Sequence, residues 1–150
     1  VKATATDASA ATGDNVASLA TFNYAQLVAS TASSSVTFTG SLSPGTNSNI
    51  ISASVQNYGN VQIDVRVSGT TPTDGTHTIA VGNVAYSLNS DMGSSSALSG
   101  STATLSSFDL SSGAGSSKTL YWQMTMPSGA DQYVPAGTYT STLTITAVAG

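Results

Sequence analysis

Cysteine is absent from the 150 residues. That excludes a disulfide frame, a thiolate zinc site, an iron–sulfur cluster and a cysteine nucleophile. Glutamate is absent too, so seven Asp carry the negative charge against two Lys, one Arg and one His, for a net charge of −4. Three cations cannot neutralise a run of phosphates, which excludes nucleic acid as a partner. One His cannot build a multi-histidine metal centre. No apolar run approaches 18 residues, so no transmembrane segment is expected. Charged residues are only 7% of the chain, against roughly 25% in an ordinary soluble domain. Hydroxyls fill the gap: 27 Ser and 22 Thr.

So polar a chain could be disordered, but 39% of its residues are hydrophobic and they recur in patterned runs. The period is two. Val61, Ile63, Val65 and Val67 alternate with Gln62, Asp64, Arg66 and Ser68. Leu120, Trp122, Met124 and Met126 alternate with Tyr121, Gln123 and Thr125, and Tyr139, Ser141, Leu143, Ile145 and Ala147 with a ladder of Thr. Successive strand side chains face opposite ways, so each run has a core face and a wet face. Further strands are expected at 35–42, 50–56, 77–81, 84–88 and 103–110, and the ambiguous stretch 16–29 reads as strand because Thr21, Phe22 and Tyr24 favour sheets. Turns are expected at Ser43-Pro44-Gly45, at Asn57-Tyr58-Gly59-Asn60 and at Pro72-Thr73-Asp74-Gly75, with flexible loops at 91–101 and 111–117. About eight strands in this spacing predict an all-β fold, an antiparallel β-sandwich of jelly-roll type. Val65, Val67, Leu120, Trp122, Leu143 and Ile145 are the expected core. No long apolar helix opens the chain, which excludes a filament built on a helical axis.

Residues 1–12 stand apart. Val1, Ala3 and Ala5 alternate with Lys2, Thr4 and Thr6, and Gly13-Asp14-Asn15 separates this strand from a single domain over 13–150. The chain begins at Val1, which fits a secreted protein whose signal peptide has been removed. No Asn-x-Ser/Thr sequon occurs, so any glycan is O-linked.

Catalytic chemistry finds little footing. His77 is the sole imidazole and no G-x-S-x-G elbow is present, so it reads as a turn residue making an ordinary hydrogen bond. The Asp residues are far apart in sequence and fall at turns or on wet strand faces. No enzymatic activity and no cofactor are expected. Calcium alone remains open, through Asp14-Asn15 or through Asp91 with loop carbonyls. Trp122 shares a face with Leu120 and Met124 and reads as core rather than as a sugar platform. Tyr58, Tyr121 and Tyr133 are the expected exposed aromatics.

Three stretches are distinctive together: Val55-Gln56-Asn57-Tyr58-Gly59-Asn60-Val61, Thr78-Ile79-Ala80-Val81-Gly82-Asn83-Val84, and Val134-Pro135-Ala136-Gly137-Thr138-Tyr139 leading into a Thr-rich strand. With them the chain resembles secreted archaeal β-sandwich proteins, in particular the TasA-like filament subunits that include the archaeal bundling pilins. The resemblance implies a jelly-roll subunit that polymerises by donor-strand complementation into extracellular fibres used in biofilm and cell adhesion. Identical subunits in a helical homopolymer are then the expected partners. Val1, Ala3 and Ala5 are the expected donor residues, because 139–148 is long and apolar enough to belong to its own core. The competing expectation is a carbohydrate- or Ca²⁺-binding module of a surface protein.

Overall fold

A computed structural model describes residues 4–6, 12–14, 26–32, 37–38, 42–113, 115–128 and 134–150. Among them all regular structure is β apart from one 3₁₀ turn at Val81–Asn83. The strands are β1 (Thr4–Thr6), β2 (Thr12–Asp14), β3 (Ser30–Ala32), β4 (Ile51–Asn57), β5 (Ile63–Gly69), β6 (Val84–Ser87), β7 (Ser96–Ala97), β8 (Ala103–Thr104), β9 (Ser116–Met124) and β10 (Leu143–Ala149). One sheet has the order β3-β4-β9-β6-β7 and a second the order β10-β5-β8, while β1 and β2 form a sheet of their own. Every pairing is antiparallel.

The two larger sheets share one core, as the alternation requires. β5 buries Ile63, Val65 and Val67, β4 buries Ala53 and Val55, and β9 buries Leu120 and Trp122. Trp122 sits in register between Ile51 and Tyr86, with its ring centroid 6.0 Å from the Tyr86 ring. Full burial of such side chains contributes roughly 1.5–3 kcal/mol each. The wet faces hold Ser52 and Ser54 on β4 and Thr144 and Thr146 on β10, all exposed. This is an antiparallel β-sandwich.

Four expectations change. The run expected at 77–81 is not a strand. Thr73 pairs on both sides, with Thr78 and with Thr140, so the ladder there is one residue wide before the 3₁₀ turn begins. The strand expected over 103–110 stops at Thr104 because the chain turns: Phe108 N–H donates to Leu105 O at 3.2 Å and Ser107 takes φ 66°. Leu105 and Phe108 are buried at this turn, and Leu110 is buried beyond it at a single bridge to Ile63. Leu143 and Ile145 are half-buried instead of buried, for a reason that concerns the site below. Of the strand expected at 16–29, residues 26–29 are described and are irregular, with the rest lying outside the described residues, as does most of 35–42.

The turns hold as expected. Gly45 and Gly75 take φ 76° and 96°, which glycine adopts without strain. Gly59 is needed for a different reason: a Cβ there would meet the Leu27 carbonyl oxygen far inside contact distance.

Candidate functional site

β10 is an edge strand, and its backbone directions follow from two bonds. Thr70 N–H donates to Thr142 O at 2.9 Å, and Gly150 N–H donates to Gln62 O at 3.0 Å. Antiparallel ladders alternate, so the even-numbered residues of β10 face β5. On β5 the odd residues turn the other way: Ile63 N–H donates to Leu110 O, and Val65 O accepts from Leu105 N–H. Leu143, Ile145, Ala147 and Ala149 therefore point their N–H and C=O groups away from β5. Among the described residues no strand lies on that side. The same residues turn Leu143, Ile145 and Ala147 side chains toward the core, where they pack against it half-covered.

Among the described residues the other sheet edges are short. β3 has three residues, β7 two and β8 two, against seven for β10. Short edges are a usual defence against unwanted pairing, and so are lysine and proline. β10 has neither a charge nor a proline.

A groove of about 740 Å³ opens at the Leu143 end of this edge. Phe38, Ile79, Val84, Met124, Met126 and Leu143 make its apolar wall, and no charged residue among the described ones lines it. The rim is made by Pro72 and by the segment 134–141. Two sets of bonds hold it. Thr73 and Thr140 exchange backbone bonds at 2.9 and 3.0 Å, and Tyr139 Oη donates to Pro135 O at 3.1 Å. One residue on, the ladder slips by a bulge, and side chains repair it: Thr142 N–H donates to Thr70 Oγ1 and Ser141 Oγ donates to Thr70 O.

The turn at 73–77 is stabilised by a carboxylate. Asp74 accepts from the backbone N–H of His77 and of Thr76, at 2.6 and 2.8 Å. These bonds, with a smaller contribution from the His77 ring at 3.1 Å, lower its pKa from 3.8 to about 2. His77 is thus a turn residue beside Asp74, as the sequence suggests; its ring meets the Asp74 carboxylate, and the Thr73 hydroxyl donates to its backbone carbonyl rather than to the ring.

The remaining singled-out residues scatter. Asp91 accepts from Gly93 N–H within its own turn, and no group of three or more His, Cys, Asp or Glu converges among the described residues. Tyr58 is exposed, Tyr121 is half-buried, and Tyr133 lies outside the described residues. Of the expected donor residues, Ala5 lies in β1 opposite Gly13, while Val1 and Ala3 lie outside the described residues. No helix of the described residues is long and apolar enough to cross a membrane.

Asn57 is a structural residue that the sequence pattern hides. It ends β4 fully buried, and its Nδ2 donates to the carbonyls of Val61, Leu110 and Ser111 while its Oδ1 accepts from Gly59 N–H. One amide thereby joins the β4–β5 turn to the segment leading into β9. Its signal in sequence is an Asn two residues before Gly at a strand end, the pattern of an Asx turn. That pattern marks the turn but not the cross-links. The chain matches no protein-family model and no curated protein.

Proposed function

We propose that this chain is a structural subunit of an extracellular filament, a pilus or thread for adhesion or biofilm, in which identical subunits join by donor-strand complementation. The observation that carries the reading is the open edge of β10. In a seven-residue strand without charge or proline, Leu143, Ile145, Ala147 and Ala149 present backbone groups that no strand among the described residues pairs, beside an apolar groove. An extended segment laid along that edge completes the ladder and covers Leu143, Ile145 and Ala147. The donor is the N-terminal strand, through Val1, Ala3 and Ala5. Its small side chains bury little area, so backbone hydrogen bonds dominate, each worth net about 0.5–1.5 kcal/mol. Donor and acceptor lie on different parts of one subunit, so the contact is head-to-tail and propagates into a helical homopolymer. Secretion with removal of a signal peptide, O-glycans on the hydroxyl-rich surface and a jelly-roll strand plan belong to the same reading. So does the resemblance to TasA-like archaeal subunits. Catalysis has no part in it.

Deletion of residues 1–8 tests the proposal. The truncated chain should stay folded and monomeric, and a synthetic peptide of residues 1–8 should bind to it. Fibres of unchanged morphology in negative stain from the truncated chain would overturn donation by the N-terminus. Failure of the intact chain to form fibres at all would overturn the filament reading.

A further inference from the structure

The outer face of the five-stranded sheet carries an aromatic ring at its middle. Tyr121 stands on the central strand β9, in register with Ser52 of β4 on one side and Ser87 of β6 on the other. Paired residues of an antiparallel ladder share a face, and alternation sets this face opposite to the buried Leu120 and Trp122. Tyr121 is half-buried, and Ser52 and Ser54 beside it are exposed. Ile50, one residue before β4, continues the same alternation and is 39% exposed. Gln123, the next residue of β9 on this face, has its amide fixed by a bond from Nε2 to Ser48 O at 3.0 Å. A ledge bounds the β6 side. Ser87 Oγ donates to Gly93 O at 2.8 Å, and Asn89 Nδ2 donates to the same carbonyl at 2.9 Å. The loop after β6 therefore folds back onto this face and buries Ser87, with Met92 and Ser94 at φ 59° and 56° making the bend. The β4 side has exposed serines and stays open.

We propose that this ledged face around Tyr121 binds a neutral glycan, an oligosaccharide of unmodified hexoses. A pyranose ring has an apolar C–H face and a rim of hydroxyls. Tyr121 offers a flat ring for the first. Ser52, Asn89 and Gln123 offer hydroxyl and amide groups for the second. Charge then selects within the class. Lys118 belongs to the opposite side of β9, where its Nζ donates to Ser107 O and lies 5.9 Å from the Phe108 ring centroid. Arg66 is on β5, in the other sheet. The ledge itself carries the Asp91 carboxylate, so an acidic sugar would meet a like charge and no cation among the described residues. A protein is the poorer occupant. Stable protein interfaces bury about 800 Å² per partner around several apolar anchors, and here one Tyr and one Ile stand among Ser, Thr and Gln. The face belongs to the sheet that does not contain β10, so binding does not require assembly.

The test is calorimetric titration of the full chain with mannohexaose, cellohexaose and laminarihexaose, and with hexagalacturonate as the acidic control. At least one neutral hexasaccharide should bind saturably, and hexagalacturonate at least tenfold more weakly. Tyr121→Ala should weaken the binding at least tenfold, while Tyr121→Phe, which keeps the ring, should change it less than threefold. Ser52→Arg lays a guanidinium over the neighbouring ring and should also weaken binding at least tenfold. It keeps the site testable if Tyr121→Ala does not fold, which the melting curve of each variant reads. No saturable heat with any neutral hexasaccharide at about 10 mM overturns the proposal. So does equal affinity for hexagalacturonate, or binding indifferent to both Tyr121→Ala and Ser52→Arg. Self-association without sugar that Tyr121→Ala abolishes would make the face a contact between copies, and overturns it too. None of these results touches the filament reading, which fibre formation decides.

Discussion

β5 and β10 are paired strands of equal length with nearly the same alternation, yet they differ in burial. Ile63, Val65 and Val67 of β5 are at most 1% exposed, while Leu143, Ile145 and Ala147 of β10 are half-buried. Their side chains are no less apolar. What differs is the neighbourhood. β5 lies between β10 and β8 and faces β4 and β9 across the core, whereas among the described residues β10 has a strand on one side only. An apolar face is therefore not a buried face until something covers its edge, and among the described residues β10 is a core strand with a neighbour on one side only.

The contrast is broken most directly by truncating matched residues. Ile63→Ala should destabilise the monomer by about 3–4 kcal/mol and Ile145→Ala by about 1–2 kcal/mol, read from urea unfolding followed by circular dichroism. Equal losses would mean that β10 is as enclosed as β5. Proline probes the two sides of one strand. Thr146→Pro removes an N–H that faces β5 and should cost about 3 kcal/mol or more. Ala147→Pro removes an N–H that faces the open edge, where proline is tolerated, so the monomer should melt within a few degrees of wild type while fibre growth falls sharply. If Ala147→Pro unfolds the monomer as Thr146→Pro does, the backbone directions assigned to β10 are wrong.

Asn57 tests the closed side. Asn57→Ala leaves a Gly59 N–H and three carbonyls without this partner and should cost about 2–3 kcal/mol, measured by the same unfolding curves. The groove rim gives the smallest effect and the one that depends on pH. Asp74 is an acid whose folded pKa is lowered to about 2 from 3.8, so its contribution is present above about pH 4 and is lost as pH falls through about 2. Protection of the Thr76 and His77 amides, taken relative to the intrinsic exchange rate at each pH, should fall over that window in wild type and stay constant in Asp74→Asn. A wild-type rim indifferent to acid would show that the carboxylate does not hold the turn.

Much of the architecture is legible in the order of residues because period-two runs and turn residues act locally. The Val65–Val67 and Leu120–Trp122 runs end up with the expected faces, and the turns at Gly45, Asn57–Asn60 and Gly75 stand where Pro, Asn and Gly place them. The failures have separate local causes. His77-Thr78-Ile79 has strand-like residues but pairs with Thr73 at Thr78 alone before the chain enters the 3₁₀ turn at Val81. The 103–110 run turns at Ser107, where a left-handed φ in a serine leaves no mark in composition.

The sequence by itself determined the class of the molecule. Alternation, β-branched residues and turn chemistry specify an antiparallel all-β sandwich. Which strand is left at an edge, which amide buries itself as Asn57 does, and what opens beside Leu143 were decided only by tertiary structure. Those properties depend on which strands become neighbours, and pairing between residues as distant in sequence as Ile63 and Ala149 is written in no local pattern.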